Sequence, residues 1–174
     1  MQTQTTTNTI EAYTDGSSVL YGDGRRPGIC CEEFGFIGGW ATVIKINDKL
    51  MELSDFSTDT TNNRMELTAV IKTLEYFKEP TSLTIYTDSI YVKNGITIWI
   101  KNWKINDFRT AARKPVLNKD LWIQLDKLND FHNVEYKWVK GHNGHPMNER
   151  ADHLAGIQTK EAKEFVDNLI CSKL

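Results

Sequence analysis

The sequence of 174 residues has few cysteines, no long hydrophobic segment and no recognisable targeting signal. Its three cysteines, Cys30, Cys31 and Cys171, are an odd number, which argues against the disulfide framework of a secreted protein. No segment approaches the roughly 20 apolar residues of a membrane-spanning helix. The Thr-rich start, residues 1–9, lacks the basic and apolar parts of a signal peptide and predicts a flexible leader. These absences predict a soluble, cytoplasmic protein with reduced thiols and no membrane contact.

The sequence also lacks a strongly basic composition, because its formal net charge is −2 at pH 7. This balance argues against a generally basic nucleic-acid-binding protein, but the charge is unevenly distributed. Residues 101–119, which we call the basic stretch, hold six basic side chains and one acid, Asp107. The charge of this stretch is therefore +5, which leaves −7 for the rest of the chain. The six basic residues are Lys101, Lys104, Arg109, Arg113, Lys114 and Lys119.

Hydrophobic periodicity predicts an α/β protein with one domain over residues 10–174. Three predicted strands form an antiparallel meander, and the later strands alternate with helices, which indicates a mixed sheet. Residues 17–39 contain six glycines and predict a long loop, with an insertion at about residues 18–38. Residues 157–174 form a C-terminal extension without a usable family pattern, although Phe165, Leu169 and Ile170 could continue or cover the last helix. The predicted strands are 10–14, 40–46, 49–57, 84–89 and 134–139, and the predicted helices are 62–77, 96–103, 121–128 and one from about residue 148.

The short apolar strand at residues 84–89 delivers a carboxylate, Asp88, at its C-terminal end. Ligands of α/β sheets bind just beyond the carboxyl ends of strands, so Asp88 is a candidate site residue. The alternative is that Asp88, or Ser89 after it, only caps the helix that follows. Other acids are needed to decide between the two interpretations.

Three further acids occupy comparable positions. Asp15 follows the first strand, Glu66 lies beside the apolar stripe of the helix at residues 62–77, and Asp152 lies in the last helix. Each has a structural alternative: Glu66 reciprocates a cap formed by Asn63, and Asp152 complements the helix dipole. All four acids nevertheless fall at strand ends or helix starts, which can converge at one end of an α/β sheet.

A cluster of four carboxylates requires cations. Each pair of charges at 4 Å repels by about 4 kcal/mol in a surface-like dielectric. Carboxylate oxygens are hard ligands, which predicts Mg²⁺ with Mn²⁺ as an alternative. A zinc site built from His142, His145 and the adjacent Cys30 and Cys31 is disfavoured, because neither group has the usual Cys-x₂-Cys spacing.

The motifs around these acids give the chain a family resemblance: it resembles a type 1 ribonuclease H, the endonuclease that cuts the RNA strand of an RNA–DNA hybrid. The resemblance covers roughly residues 10–156. Each motif alone is weak, but all occur together and in family order. The motifs are Tyr13-Thr14-Asp15-Gly16-Ser17, Thr60-Thr61-Asn62-Asn63-Arg64-Met65-Glu66-Leu67, Thr87-Asp88-Ser89, Trp138-Val139-Lys140-Gly141-His142 and Asn148-Glu149-Arg150-Ala151-Asp152.

The resemblance implies an RNase H-like fold, with a five-stranded mixed sheet of three antiparallel and then two parallel strands flanked by helices. It also implies that Asp15, Glu66, Asp88 and Asp152 bind two divalent ions, and that the products carry 5′-phosphate and 3′-hydroxyl ends. By the same resemblance, His142 on a mobile loop assists proton transfer or product release. An imidazole that titrates near neutrality suits a proton carrier. We expect the enzyme to act as a monomer.

The resemblance also suggests contacts to the hybrid duplex. Asn62 and Asn63 could contact 2′-hydroxyls or base edges in its wide, shallow minor groove. Trp99 and Trp103 would pack against the deoxyribose backbone, although core packing is an equal alternative for tryptophan. We expect one of the two to be mostly buried and the other partly exposed. The phosphate contacts are expected from the basic stretch, in particular from Lys104, Arg113 and Lys114.

Two alternatives to a hybrid-specific nuclease stay open. One is a catalytically idle binding domain of the same fold, which would have no reason to keep four mutually repelling acids. The other is a nuclease or transferase acting on DNA, which would not explain the Asn62–Asn63 pair or the basic stretch. The insertion is longer than the family's usual turn. Its Arg25, Arg26 and aromatic Tyr21, Phe34 and Phe36 are expected to extend contacts to nucleic acid. The alternative is that Phe34 and Phe36 belong to an extended second strand and the rest is a solvated loop.

Overall fold

The computed structural model describes residues 9–21 and 35–172. Its centre is one five-stranded sheet with strand order β3-β2-β1-β4-β5. β1, β2 and β3 pair antiparallel, whereas β4 and β5 run parallel to β1, which confirms the predicted fold class. The strands are β1 (Ile10–Leu20), β2 (Phe36–Ile46), β3 (Lys49–Ser57), β4 (Ser82–Thr87) and β5 (Asn133–Trp138).

Helices cover both faces of the sheet. Side chains of neighbouring strand residues point to opposite faces, so Ala12 and Tyr13 mark the two sides. Ala12 packs in the main core with the helices at Asn62–Tyr76 and Lys119–Phe131, and Tyr13 packs with Ala151 of the last helix, Pro146–Ser172. Within the described ranges, no helix has both the length and the apolar content to cross a bilayer. The helices are α1 (Asn62–Tyr76), α2 (Ile90–Asn94), α3 (Ile100–Ile105), α4 (Lys119–Phe131) and α5 (Pro146–Ser172), with a π-helical turn at Gly95–Trp99 between α2 and α3.

The predicted loop over residues 17–39 is too long at both of its ends, and the alternative of an extended second strand holds for Phe36. β1 continues to Leu20 and β2 already begins at Phe36, so Ser18 pairs with Gly38 and Val19 with Ile37. Glycines suggested a loop, but Gly39 pairs with Ser17 in the sheet, and glycine is required there because α5 crosses closely. A Cβ on Gly39 would lie 2.5 Å from the carbonyl oxygen of Ala155. The remaining insertion, residues 22–34 with its arginines and both adjacent cysteines, lies outside the described residues.

The C-terminal extension continues α5 to Ser172. Its apolar side packs Ala162 and Val166 against Ile37 of β2. The hydroxyl of Tyr21 donates a hydrogen bond to the Asp167 carboxylate over 2.6 Å. The extension therefore covers the part of the β1–β2 hairpin that the sequence had suggested was loop.

Candidate active site

Three carboxylates converge where β1, β4 and α1 meet. One oxygen from each of Asp15, Glu66 and Asp88 lies within 4.8 Å of the others. Asp15 and Glu66 are each only 6% exposed, and Asp88 is half-buried. Asp15 lies inside β1 rather than at its end, because β1 is longer than predicted. Asp88 directly follows β4, the parallel neighbour of β1.

A close approach of backbones brings Glu66 to Asp15. A Cβ on Gly16 would overlap the backbone nitrogen of Glu66 and lie 2.5 Å from the carbonyl carbon of Met65. Glycine at this position therefore lets α1 contact β1 directly. The Gly16 N–H also donates a hydrogen bond of 2.8 Å to Asp15 Oδ1, which fixes that carboxylate.

The helix caps bear on the structural alternatives for Glu66 and Asp88. Thr61, not Asn63, caps α1: its side chain accepts a hydrogen bond from the backbone of Arg64. Glu66 therefore does not complete a capping pair with Asn63. Of the two capping candidates at the next helix, Ser89 is the one that caps α2, by accepting a hydrogen bond from the Val92 N–H. The Asp88 carboxylate lies in the acid cluster instead.

Burial and mutual repulsion make the cluster electrostatically unfavourable without a cation. The pKa of Asp15 is raised to about 8, mainly by burial and next by the charge of Asp88, although the Gly16 hydrogen bond lowers it. Burial also raises the pKa of Glu66 well above its ordinary value, and Asp15 and Asp88 add to the rise. A hydrogen bond of 3.5 Å from Asn62 to Glu66 opposes this effect.

The chemistry of the cluster fits a hard divalent cation. All three groups offer oxygen ligands, which Mg²⁺ and Mn²⁺ prefer. Among the described residues, Glu66 Oε2 is buried without any hydrogen-bond donor. A buried carboxylate oxygen without a partner is costly, and a metal ion would satisfy it.

Asp152 and His142 lie beside the cluster. Asp152 is in the second turn of α5 and is not part of the tight group, but its charge adds to the raised pKa of both Asp15 and Glu66. His142 Nδ1 lies 3.6 Å from Asp152 Oδ2, and the His142 side chain is 78% exposed. All five predicted catalytic residues thus line one open cleft, together with Ser17, Asn62, Asn63, Ser89, Ile90 and Tyr91.

The two tryptophans form an aromatic path that starts at the cleft. The ring of Tyr91, which lines the cleft, lies 6.1 Å from that of Trp99. Trp99 is 36% exposed and contacts Trp103 at 5.7 Å between ring centroids. Trp103 is half-buried against the fully buried Trp122 of α4. The expected division into a more buried and a partly exposed tryptophan is thus present.

The cationic residues of the basic stretch differ in their surroundings. Lys104 forms ion pairs with Asp126 at 2.9 Å and with Asp130 at 3.2 Å, so acids of α4 already compensate its charge. Arg113 and Lys114 lie on an exposed loop, and neither forms an ion pair with any described residue. The loop is closed by hydrogen bonds of 2.8 Å from Thr110 N to Lys114 O and from Arg113 N to Thr110 O.

Two residues near Asp88 were not singled out from the sequence. The Trp138 indole donates a hydrogen bond of 2.9 Å to the Asp88 carbonyl oxygen, which ties the end of β5 to the end of β4. The backbone at Gly141 passes against the Asp88 carboxylate, where a Cβ would lie 2.5 Å from Oδ2. Both residues occur in the Trp138–His142 motif, but spacing alone carried no sign of these contacts.

Comparison with known proteins decides the family. The sequence model of the family described as RNase H matches residues 7–160. The chain belongs to the ribonuclease H family. A Ribonuclease H of Brucella anthropi is 49% identical over 146 residues, which cover 84% of this chain and 86% of that protein. A Ribonuclease H of Francisella philomiragia is 49% identical over 148 residues, which cover 85% of this chain and 89% of the relative.

Solved structures agree with this family. The crystal structure of LC9-RNase H1, described as a type 1 RNase H with the type 2 active-site motif, matches with a TM-score of 0.73 and 26% identity, covering 89% of this chain and 74% of that one. A foamy viral protease-reverse transcriptase in complex with RNA/DNA hybrid shares the fold at 20% identity, with a TM-score of 0.70 over 87% of this chain and 20% of the viral one. The predicted resemblance is confirmed, and the chain is a metal-dependent hydrolase of the family that cleaves RNA in RNA–DNA hybrids.

Proposed function

We propose that Asp15, Glu66, Asp88 and Asp152 hold two Mg²⁺ ions at which the RNA strand of an RNA–DNA hybrid is hydrolysed. The observation that carries this proposal is the convergence of three carboxylates within 4.8 Å, two of them buried, with an unpartnered oxygen on Glu66. Asp152 contributes the fourth carboxylate from the more exposed side of the cleft. Mn²⁺ would suit the same oxygen donors.

Two ions held by these four carboxylates would supply activation of a water and stabilisation of the leaving oxygen for an in-line displacement, with 5′-phosphate and 3′-hydroxyl ends as the expected products. The protein contributes fixed ligands. Asp15 is held by burial and by the Gly16 N–H, and Glu66 is held by the contact of α1 with β1. Because these groups are positioned before the substrate arrives, little reorganisation is needed during the reaction.

His142 is proposed to carry a proton or to assist the release of the product. Its ring is exposed and borders the cleft, next to Asp152 but outside the tight acid group. An imidazole in this position can exchange protons with solvent and still reach the edge of the site.

The substrate is proposed to lie across the cleft and along the aromatic path toward the basic stretch. Asn62 and Asn63 border the cleft, where their amides can bond to 2′-hydroxyls or base edges. Trp99 presents an exposed ring to the DNA backbone, and Trp103 supports it from below. Arg113 and Lys114 supply the phosphate contacts, whereas Lys104 would first have to exchange its acid partners.

One assay tests the function as a whole. Labelled RNA–DNA, RNA–RNA and DNA–DNA duplexes are incubated with the protein and Mg²⁺, with or without a chelator. We expect cleavage of the RNA strand of the hybrid alone, lost with chelator and restored by excess Mg²⁺. Binding of the hybrid without cleavage would indicate an idle binding domain. Cleavage of the DNA duplex would indicate a different nuclease.

The role of the basic stretch is tested by the double variant Arg113→Glu/Lys114→Glu. Loss of two phosphate contacts should raise the KM for the hybrid about tenfold or more at low salt and flatten the log–log salt dependence of binding by about 2. The kcat at saturating substrate should change little. KM measured over a salt series checks this expectation.

The control is a double variant with the same change of charge, placed at the end of the sheet opposite to the acid cluster. Lys49, beside the β2–β3 turn, and Lys78, between α1 and β4, are both exposed. Lys49→Glu/Lys78→Glu should therefore leave the salt slope close to that of the wild type. If the Arg113/Lys114 variant behaves like this control, the basic stretch is an ordinary solvated surface.

We further propose that the enzyme acts as a monomer in the cytoplasm, with residues 10–174 forming one domain. The described cysteine, Cys171, is exposed and free, which suits a reducing compartment.

A further inference from the structure

The loop that carries His142 joins β5 to α5, and it adopts an uncommon backbone conformation. His142 has a φ of 51° and Gly144 a φ of 76°, both in the left-handed region. A non-glycine residue in this region is held there by its surroundings at some cost. Contacts that fix the loop therefore decide where the His142 ring lies.

One side chain holds the middle of this loop. Glu149, in the first turn of α5, accepts a hydrogen bond of 2.9 Å from the Gly144 N–H through Oε1. In the described part of the chain, this is the one hydrogen bond between a side chain and the backbone of residues 140–145. The loop's C-terminal end is held separately, because the ring of His145 packs on that of Tyr13 at 5.0 Å.

We propose that Glu149 is a positioning residue that holds the loop so that His142 stays beside Asp152. Glu149 and Asp152 are three residues apart on α5 and therefore lie on the same side of the helix. Glu149 fixes the loop, and Asp152 faces the His142 ring at 3.6 Å. A single rigid helix thus carries both the acid and the anchor that places the histidine next to it. This inference rests on the role proposed above for His142.

If Glu149 only stabilised the fold, its substitution would have a different effect from the one expected for a positioning residue. A side chain that bonds to a free N–H at a helix start stabilises the fold modestly, and its loss lowers the melting temperature without a selective effect on turnover. A positioning role instead lowers kcat in a manner that depends on His142. The acceptor alone matters, so glutamine, which keeps an oxygen at the same place, should substitute for glutamate.

The first experiment measures kcat and KM on an RNA–DNA hybrid with Mg²⁺. Glu149→Ala should lower kcat about five- to tenfold, the effect of losing one hydrogen bond that holds a catalytic group, with KM within about twofold. Glu149→Gln should retain most of the wild-type kcat. Glu161→Ala, at an exposed glutamate farther along α5, is the matched control and should have no effect. Equal kcat values for Glu149→Ala and Glu161→Ala would overturn the inference.

The second experiment is a double-variant cycle with His142→Ala. If Glu149 acts only through His142, then adding Glu149→Ala to His142→Ala should cause no further loss of kcat. Multiplicative losses would show that Glu149 acts elsewhere and would overturn the inference. An unchanged kcat in His142→Ala alone would instead refute the proposed role of His142. A lowered kcat in Glu149→Ala would then also contradict positioning through His142.

A third measurement does not depend on activity. In the metal-free protein, the heteronuclear ¹H–¹⁵N Overhauser effect of the Gly144 amide reports the mobility of the loop. It should fall in Glu149→Ala and stay at the wild-type value in Glu149→Gln. An unchanged value in Glu149→Ala would show that this hydrogen bond does not hold the loop, whatever the kinetics.

Discussion

Asp88→Asn is expected to abolish cleavage while leaving the metal-free protein folded and more stable than the wild type. Asparagine keeps the volume of the side chain but removes one of three carboxylates that lie within 4.8 Å of one another. Metal ions supply several kcal/mol of transition-state stabilisation, so we expect kcat/KM to fall at least about a thousandfold. Activity on the hybrid and thermal melts with and without Mg²⁺ measure both effects.

The gain in stability should depend on pH. The pKa of Asp15 is about 8 in the folded protein against an ordinary value of 3.8, first because of burial and then because of the charge of Asp88. Since folding raises this pKa, the wild type loses stability as the pH rises from about 4 toward about 8. Removing the Asp88 charge should therefore stabilise the metal-free protein little at pH 5, and by about 1–2 kcal/mol at pH 8.

The control for this prediction is Asp48→Asn, the same chemical change in the exposed turn between β2 and β3. It should affect neither cleavage nor the pH dependence of the melting temperature. If Asp88→Asn instead unfolds the protein, Asp88 has a structural role. An active Asp88→Asn variant would remove Asp88 from the metal site.

Much of the site could be predicted from the sequence because its signals are local. The apolar run before Asp88 predicts a strand, and the apolar stripe beside Glu66 predicts a helix. Acids at strand ends and helix starts can converge at one end of the sheet. Because four carboxylates would repel one another there, a cation site could be predicted before the fold was known. The family motifs add the order in which the elements meet. The outline of the sheet and its mixed direction follow from the same local patterns.

The errors concern contacts between residues that are distant in sequence. Glycine serves both turns and close packing, so the sequence could not show that Gly39 lies under α5 rather than in a loop. The alternative cap of α1 by Asn63 could not be set aside from the sequence, because Thr61, Asn62 and Asn63 are all suitable caps. Thr61 is the cap, since its side chain accepts a hydrogen bond from the Arg64 N–H, and Glu66 lies in the cluster with Asp15.

Ion pairs between residues distant in sequence could not be predicted either. Lys104 and Arg113 look alike in a run of basic residues, but α4 brings Asp126 and Asp130 to Lys104 only. The course of the C-terminal extension likewise depends on the β1–β2 hairpin, which supplies Ile37 as the surface under Val166. Such pairings become visible when the elements are placed in space.

Gly141→Ala is expected to lower kcat/KM by about two orders of magnitude without unfolding the protein. A Cβ at this position would lie 2.5 Å from Asp88 Oδ2, well inside van der Waals contact. Gly141 is not among the residues with positive φ, so alanine can adopt the backbone conformation. The three atoms nearest to the added Cβ all belong to the Asp88 side chain. The carboxylate can relieve it by rotating, which costs the fold little but moves a ligand away from Asp15 and Glu66.

The measurements are kcat/KM on the hybrid, the thermal melt and calorimetric titration with Mg²⁺ or Mn²⁺. The matched control is Gly156→Ala in α5, where nothing lies within 4 Å of the added Cβ and a helical alanine should stabilise by up to about 1 kcal/mol. A displacement of about 1 Å in a reacting group is enough for a hundredfold loss, so weakened metal binding with a near-wild-type melting temperature is the expected signature. Wild-type activity in Gly141→Ala would mean that Asp88 binds metal equally well from a rotated position, and the close passage of the loop would then have no part in placing it.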